Sequence, residues 1–108
     1  MNFNEYQKTA FTTAGRFDSK EMAIAVWALG LVGEAGEVSE LIKKHIGHGH
    51  PLNTAEITKE LGDVLWYIAA LANELGISLD DIAAANVAKL QSRYPAGFSH
   101  EASQNRVA

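Results

Sequence analysis

The stretch Met22-Ala23-Ile24-Ala25-Val26-Trp27-Ala28-Leu29-Gly30-Leu31-Val32-Gly33-Glu34-Ala35-Gly36-Glu37-Val38 decides the fold. Successive helical residues turn by roughly 100°. On that wheel Met22, Ile24, Val26, Trp27, Leu29, Leu31 and Val32 point in nearly every direction. A helix that is apolar all round needs cover on all sides. Two carboxylates, Glu34 and Glu37, then appear while the apolar pattern is still running. No alternating strand pattern occurs anywhere, so the chain reads as all-α.

Three more helical segments flank this one. Upstream, a helix is expected over about Asn4 to Ala14, with Gly15 as its stop. The central helix opens at Asp18 or Ser19 and runs to about Ile46. It ends in Gly47-His48-Gly49-His50-Pro51. A third helix is capped by Asn53 or Thr54, with Glu56 three after Asn53, and runs to Leu75 before Gly76. A fourth is capped by Ser78 and runs to Tyr94 before Pro95. Residues 99–108 read as a polar, mobile C-terminal tail. Four helices with short connections predict a four-helix bundle. Three short helices of one chain can hardly cover the central one, so a homodimer or homotetramer is expected.

The 108 residues suit one domain. Thirteen acids against nine Lys and Arg give a net charge of −4, which argues against nucleic acid or an anionic membrane as partner. No apolar run reaches the roughly 18–20 residues of a membrane span. There is no cysteine, which removes thiolate chemistry, disulfides and Cys-ligated zinc. A cytoplasmic location is expected.

The acids are placed with a pattern. On the second helix Leu31, Ala35, Val38 and Ile42 form an apolar stripe, and Glu34 and Glu37 flank it. Glu40 lies opposite and reads as a solvated residue. On the third helix Ile57, Leu61, Val64, Ile68 and Leu75 form the stripe, and Glu60 and Asp63 flank it at the same two offsets. Two antiparallel helices would bring these pairs face to face. Four carboxylates together repel unless protonated or neutralised by a cation. Hard divalent cations take oxygen ligands, and Mg²⁺ in particular takes carboxylates together with substrate phosphates.

Two further features fit a site. Gly30, Gly33 and Gly36 lie inside a helix, and Gly62 sits beside Asp63. Each costs roughly 0.5–1 kcal/mol against alanine, which implies tight packing or a close ligand. The fourth helix places Asn86 and Arg93 within its apolar sector, with Lys89 at the border. Polar groups there need partners: internal carboxylates, or phosphate oxygens for Lys89 and Arg93 with Asn86 in support. Tyr6, Gln7, Trp66 and Tyr67 are candidate base or sugar contacts. Trp66 is expected opposite its helix's core stripe, with Trp27 and Tyr67 nearer the core flank. His45, His48 and His50 read as a polar loop. No Glu-x-x-His occurs, so a carboxylate-bridged di-iron bundle lacks its ligands.

The strings Gly33-Glu34-Ala35-Gly36-Glu37-Val38 and Glu60-Leu61-Gly62-Asp63-Val64-Leu65-Trp66-Tyr67 resemble the signature of MazG-like all-α nucleoside triphosphate pyrophosphohydrolases. That signature is E-x-x-E, a spacer, then E-x-x-D; here the spacer is 22 residues. Asn86-Val87-Ala88-Lys89-Leu90, Arg93-Tyr94-Pro95 and Gly97-Phe98 are similar to the family's closing segment. The resemblance covers about residues 3–98, so a domain over 1–98 is expected. It implies an oligomeric helical bundle that converts nucleoside triphosphates to monophosphate and pyrophosphate with Mg²⁺, or with Mn²⁺ in its place. It implies Glu34, Glu37, Glu60 and Asp63 as metal ligands, and phosphate contacts from Lys89 and Arg93. Phosphoribosyl-ATP pyrophosphohydrolysis and a non-catalytic helical interaction module are the alternatives.

Overall fold

A computed structural model describes residues 1–106; Val107 and Ala108, the last two residues of the expected tail, lie outside the described residues. Five helices follow in order: α1 Phe3–Phe11, α2 Lys20–His48, α3 Thr54–Glu74, α4 Leu79–Arg93 and α5 His100–Gln104. Their starts are fixed by side chains. Asn2, Ser19, Asn53, Ser78 and Ser99 each accept a hydrogen bond from an N–H in the first turn, the usual satisfaction of an orphan helix donor. Asn2 and Glu5 form a full capping box. Gly49 ends α2 in the left-handed region, at φ 70°, where a Cβ would be strained.

Two segments differ from expectation. α1 stops at Phe11, and Thr12 and Thr13 turn their hydroxyls back onto the carbonyls of Thr9 and Ala10. The expected polar tail contains the short helix α5.

α2 and α3 form a long antiparallel hairpin, α1 packs on α3, and α4 packs on α1. The core is small. Ala23, Trp27 and Ala70 are buried at one end, with Phe11, Trp66 and Tyr67 around them. Ala69, Ala72 and Leu79 form a second patch with Tyr6 and Ile68. The rings of Trp27 and Trp66 meet edge to face with centroids 5.3 Å apart.

The described residues are therefore all-helical, but one chain does not close a four-helix bundle. The seam between α2 and α3 does not follow the expected stripes. It runs through Trp27, Gly30 and Glu34 on one side and through Glu74, Tyr67 and Glu60 on the other. Ala35, Ile42, Leu61 and Leu75, predicted for the core, are exposed. The physical reason is the one that makes α2 unusual. A helix with apolar residues on every side offers several faces, and periodicity does not say which one its own chain covers.

By length and mean hydropathy (1.3), α2 is long and apolar enough to cross a membrane, which the sequence reading did not anticipate. Glu34 and Glu37 fall in its middle, where a bilayer would penalise them heavily.

Candidate metal and phosphate site

α2 and α3 carry the acids on facing turns of the hairpin. Single carboxylate oxygens of Glu34, Glu60 and Asp63 all lie within 4.8 Å of one another. Glu34 and Glu60 are half-buried in the seam, and Asp63 is exposed at its edge. Partial withdrawal from water pushes the Glu34 carboxyl above its ordinary value. The negative charges of Asp63, Glu60 and Glu37 and a hydrogen bond shared with Glu60 act in the same direction. Glu37 is exposed and contributes its charge without joining the close trio. Glu40 points elsewhere, pairing with Lys43 at 3.2 Å and Lys44 at 3.9 Å.

The donor set is all oxygen, with no imidazole or thiolate in it. Such a set suits a hard divalent cation that keeps part of its coordination for water and phosphate. The like-charge crowding at Glu34 is what such a cation relieves.

Of the four base or sugar candidates, Tyr6 lies close enough to the cluster to feel the charge of Asp63. Its hydroxyl is pushed above the ordinary phenol value by burial and by the charge of Asp63. Beside it opens a cavity of about 410 Å³ lined by Phe3, Tyr6, Leu65 and Asp80 among others. Gln7 is a correction. It is buried, its amide nitrogen donates to Ile77 O at 3.0 Å and Ala69 O at 3.4 Å, and its oxygen accepts from Leu79 N–H at 3.0 Å. That amide ties α1 to the α3–α4 turn, and both of its N–H donors are spent inside the chain.

Trp66 is also placed differently. It lies under α1, where its indole N–H donates to Thr13 Oγ1 at 2.9 Å and Ala10 O at 3.2 Å. α3 is covered on two sides, so the face opposite its predicted stripe became interior. Tyr67 packs its ring over Gly30, where an added Cβ would collide with it. Both rings are committed to the core. Gly33, Gly36 and Gly62 have open space around them, so tight packing within the chain does not explain them.

The phosphate candidates are not brought to the acids within one chain. Asn86 and Lys89 lie on α4, exposed, and α4 does not lie along α2 or α3. Arg93 ends the same helix, half-buried. His45 folds back so that its Nδ1 meets His50 O at 2.6 Å, and the His48 and His50 rings sit 6.4 Å apart. These histidines join no carboxylate group among the described residues.

A larger cavity lies away from the Glu34 cluster. It measures about 630 Å³ and is lined by Phe11, Arg16, Phe17, Lys20 and Glu74. From its Ala23 wall to Glu34 is about 16 Å along α2 at the helical rise.

Sequence reasoning missed the α1–α4 tie. Asn4 Oδ1 accepts from Asp80 N–H at 3.2 Å beside the Gln7 bonds. Contacts between residues more than seventy positions apart leave no local periodicity to read.

Comparison with known proteins adds to this geometry. The family model for the MazG nucleotide pyrophosphohydrolase domain matches residues 24–98, a span that contains all four acids and Asn86, Lys89 and Arg93. The Gene 37 protein of Mycobacterium phage L5 is 38% identical over 98% of this chain and 100% of its own length. Protein YvdC of Bacillus subtilis (strain 168) is 34% identical over 59% of this chain and 69% of its own length. No solved structure matches the chain significantly.

Proposed function

The chain belongs to the MazG nucleotide pyrophosphohydrolase family, and from that premise we propose that it hydrolyses nucleoside or deoxynucleoside triphosphates to monophosphate and pyrophosphate in the cytoplasm. The observation that carries this is the convergence of Glu34, Glu60 and Asp63 within 4.8 Å across the α2–α3 seam. Glu34, Glu60 and Asp63 would hold Mg²⁺, with Glu37 at the rim as the fourth ligand; Mn²⁺ would substitute. When bound, the cation supplies Lewis acidity that neutralises phosphate charge and makes water a better nucleophile.

The remaining chemistry belongs to the chain. Water attacks the α-phosphorus, and the bond from that phosphorus to the oxygen bridging to the β-phosphate breaks. Pyrophosphate leaves with that oxygen, and a carboxylate of the quartet takes the proton of the water. Lys89 and Arg93 hold phosphate oxygens and offset charge developing on the leaving group, with Asn86 as a neutral donor beside them. Arginine suits this task through its planar fork of donors. Tyr6 contacts the base or sugar at the edge of the cluster. The working unit is a homodimer or homotetramer, with neither nucleic acid nor membrane as partner.

The test is a panel of ribo- and deoxyribonucleoside triphosphates and phosphoribosyl-ATP with Mg²⁺ or Mn²⁺, read by released pyrophosphate. Turnover of at least one nucleoside triphosphate is expected. Turnover of phosphoribosyl-ATP alone would move the chain to that alternative. Metal-dependent melting without turnover of anything would leave a helical interaction module.

A further inference from the structure

Three of the four histidines, His45, His48 and His50, fall together at the end of α2 and in the turn after it. They stand apart from the acids: His45 lies roughly 12 Å beyond Glu37 along α2 at the helical rise. The turn folds back on the helix. His50 N–H donates to Lys44 O at 3.1 Å, and His50 O meets His45 Nδ1 at 2.6 Å. Gly49 supplies the left-handed residue, at φ 70°, that this return requires, and Pro51 stiffens the chain beyond it. The backbone of His50 is thus tied to α2 through both of its polar groups.

The bond to His50 O also sets the chemistry of His45. A carbonyl oxygen only accepts, so Nδ1 carries the proton, and in the neutral ring Nε2 keeps a free lone pair. Metal-ligating histidines are oriented in this way, one ring nitrogen donating to a backbone carbonyl and the other facing the cation. His45 is half-buried, whereas His48 and His50 are exposed. The rings of His48 and His50 stand 6.4 Å apart by centroid, inclined at 55°. With metal–nitrogen bonds of about 2.0–2.1 Å, two rings on one cation have centroids about 4.5–6.4 Å apart. The pair sits at the open end of that range, and rotation of two exposed side chains closes it. Among the described residues neither ring has a hydrogen bond or an ion pair. The neighbouring charge of Lys44 is met by Glu40 at 3.9 Å.

We propose that His45, His48 and His50 form a second metal site, for a borderline transition cation of the Zn²⁺, Ni²⁺ or Cu²⁺ class, separate from the oxygen ligands at Glu34. Imidazole suits such ions, whereas Mg²⁺ takes oxygen. Three nitrogens leave the remaining coordination to water. The cation joins the last turn of α2 to the residue past its cap, and so clips the connection between α2 and α3. It steadies the hairpin that carries the acids without touching substrate. The site does not rest on the pyrophosphohydrolase reading.

Calorimetric titration with Zn²⁺ tests it, on the full chain freed of any polyhistidine tag and in excess Mg²⁺ to fill the oxygen site. One equivalent per chain is expected. His45→Gln, His48→Gln and His50→Gln should each weaken that binding about 10-fold or more, with circular dichroism unchanged. His100→Gln, at the remaining histidine, and Glu34→Gln should bind as the wild type does. With one equivalent of Cu²⁺, electron paramagnetic resonance should show coupling to three nitrogens, and to two in each of the three variants. Zn²⁺ should raise the Tm of the wild type and leave that of His48→Gln unmoved. No Zn²⁺ binding in excess Mg²⁺, or binding unchanged in the three variants, overturns the inference. Binding lost in Glu34→Gln instead would put the cation among the carboxylates and overturn it too. Half an equivalent per chain would mean that two copies share the cation, which overturns a site within one chain. Two nitrogens in the wild type, with undiminished Zn²⁺ binding in His45→Gln, would remove His45 and overturn the three-ligand site. If His45→Gln fails to fold, His48→Gln and His50→Gln, both at exposed side chains, still decide.

Discussion

Glu34 stands in the seam with its carboxyl pushed above the ordinary value by withdrawal from water and by the acids around it. The folded chain therefore binds a proton there more readily than the unfolded chain does. The stabilising contribution is full below the ordinary carboxylate value and is lost as pH rises through the raised one. A divalent cation displaces that proton. Melting with and without Mg²⁺ at about pH 5 and about pH 7.5 should show a larger metal-induced rise in Tm at the higher pH. Glu34→Gln should flatten that dependence. An equal rise at both values would contradict the reading.

Glu37 and Asp63 test catalysis more directly. Both are exposed, so Glu37→Gln and Asp63→Asn should leave circular dichroism unchanged while pyrophosphate release falls by about 10²-fold or more. At this scale the sequence was informative about the acids, because a spacing of three on each of two helices survives folding. It was silent on which carboxylates enter the seam. That depends on how the two helices are rotated against each other.

The glycines divide at the scale of elements. Gly30 lets Tyr67 lie against α2, so Gly30→Ala should cost about 1–3 kcal/mol through overpacking and lower Tm measurably. Gly33 meets nothing within its own chain. Gly33→Ala should leave the isolated fold unharmed, and any loss should appear in assembly or turnover. Caps and stops were legible because they are local: Ser19, Asn53 and Ser78 sit where the caps were expected. The tie of α1 to α4 was not, because the Gln7 amide meets Ala69, Ile77 and Leu79 across the fold. Gln7→Ala would leave a buried Leu79 N–H without its acceptor, at about 1–3 kcal/mol. Its distinctive signature should be early exchange of the α4 amides, with α2 and α3 still protected.

For the whole molecule, the all-round apolarity of α2 raised the expectation of a partner, and the folded chain leaves several of those faces open. Met22, Leu29, Val32 and Ile46 remain exposed on a helix whose own chain covers one face. Within one chain the bundle stays open, because wheel positions record which faces are apolar, whereas the chain length decides how many of them it can bury. An assembly that buries these faces couples folding to association, so Tm must rise with protein concentration by mass action. Calorimetry over a hundredfold range in concentration should show that rise. Val32→Glu places a charge on an apolar face, where burial without a partner is costly. It should lower Tm at high concentration and weaken the concentration dependence, with helix content at low temperature preserved. A Tm independent of concentration, together with a monomeric mass, would mean that the open hairpin face is left to solvent.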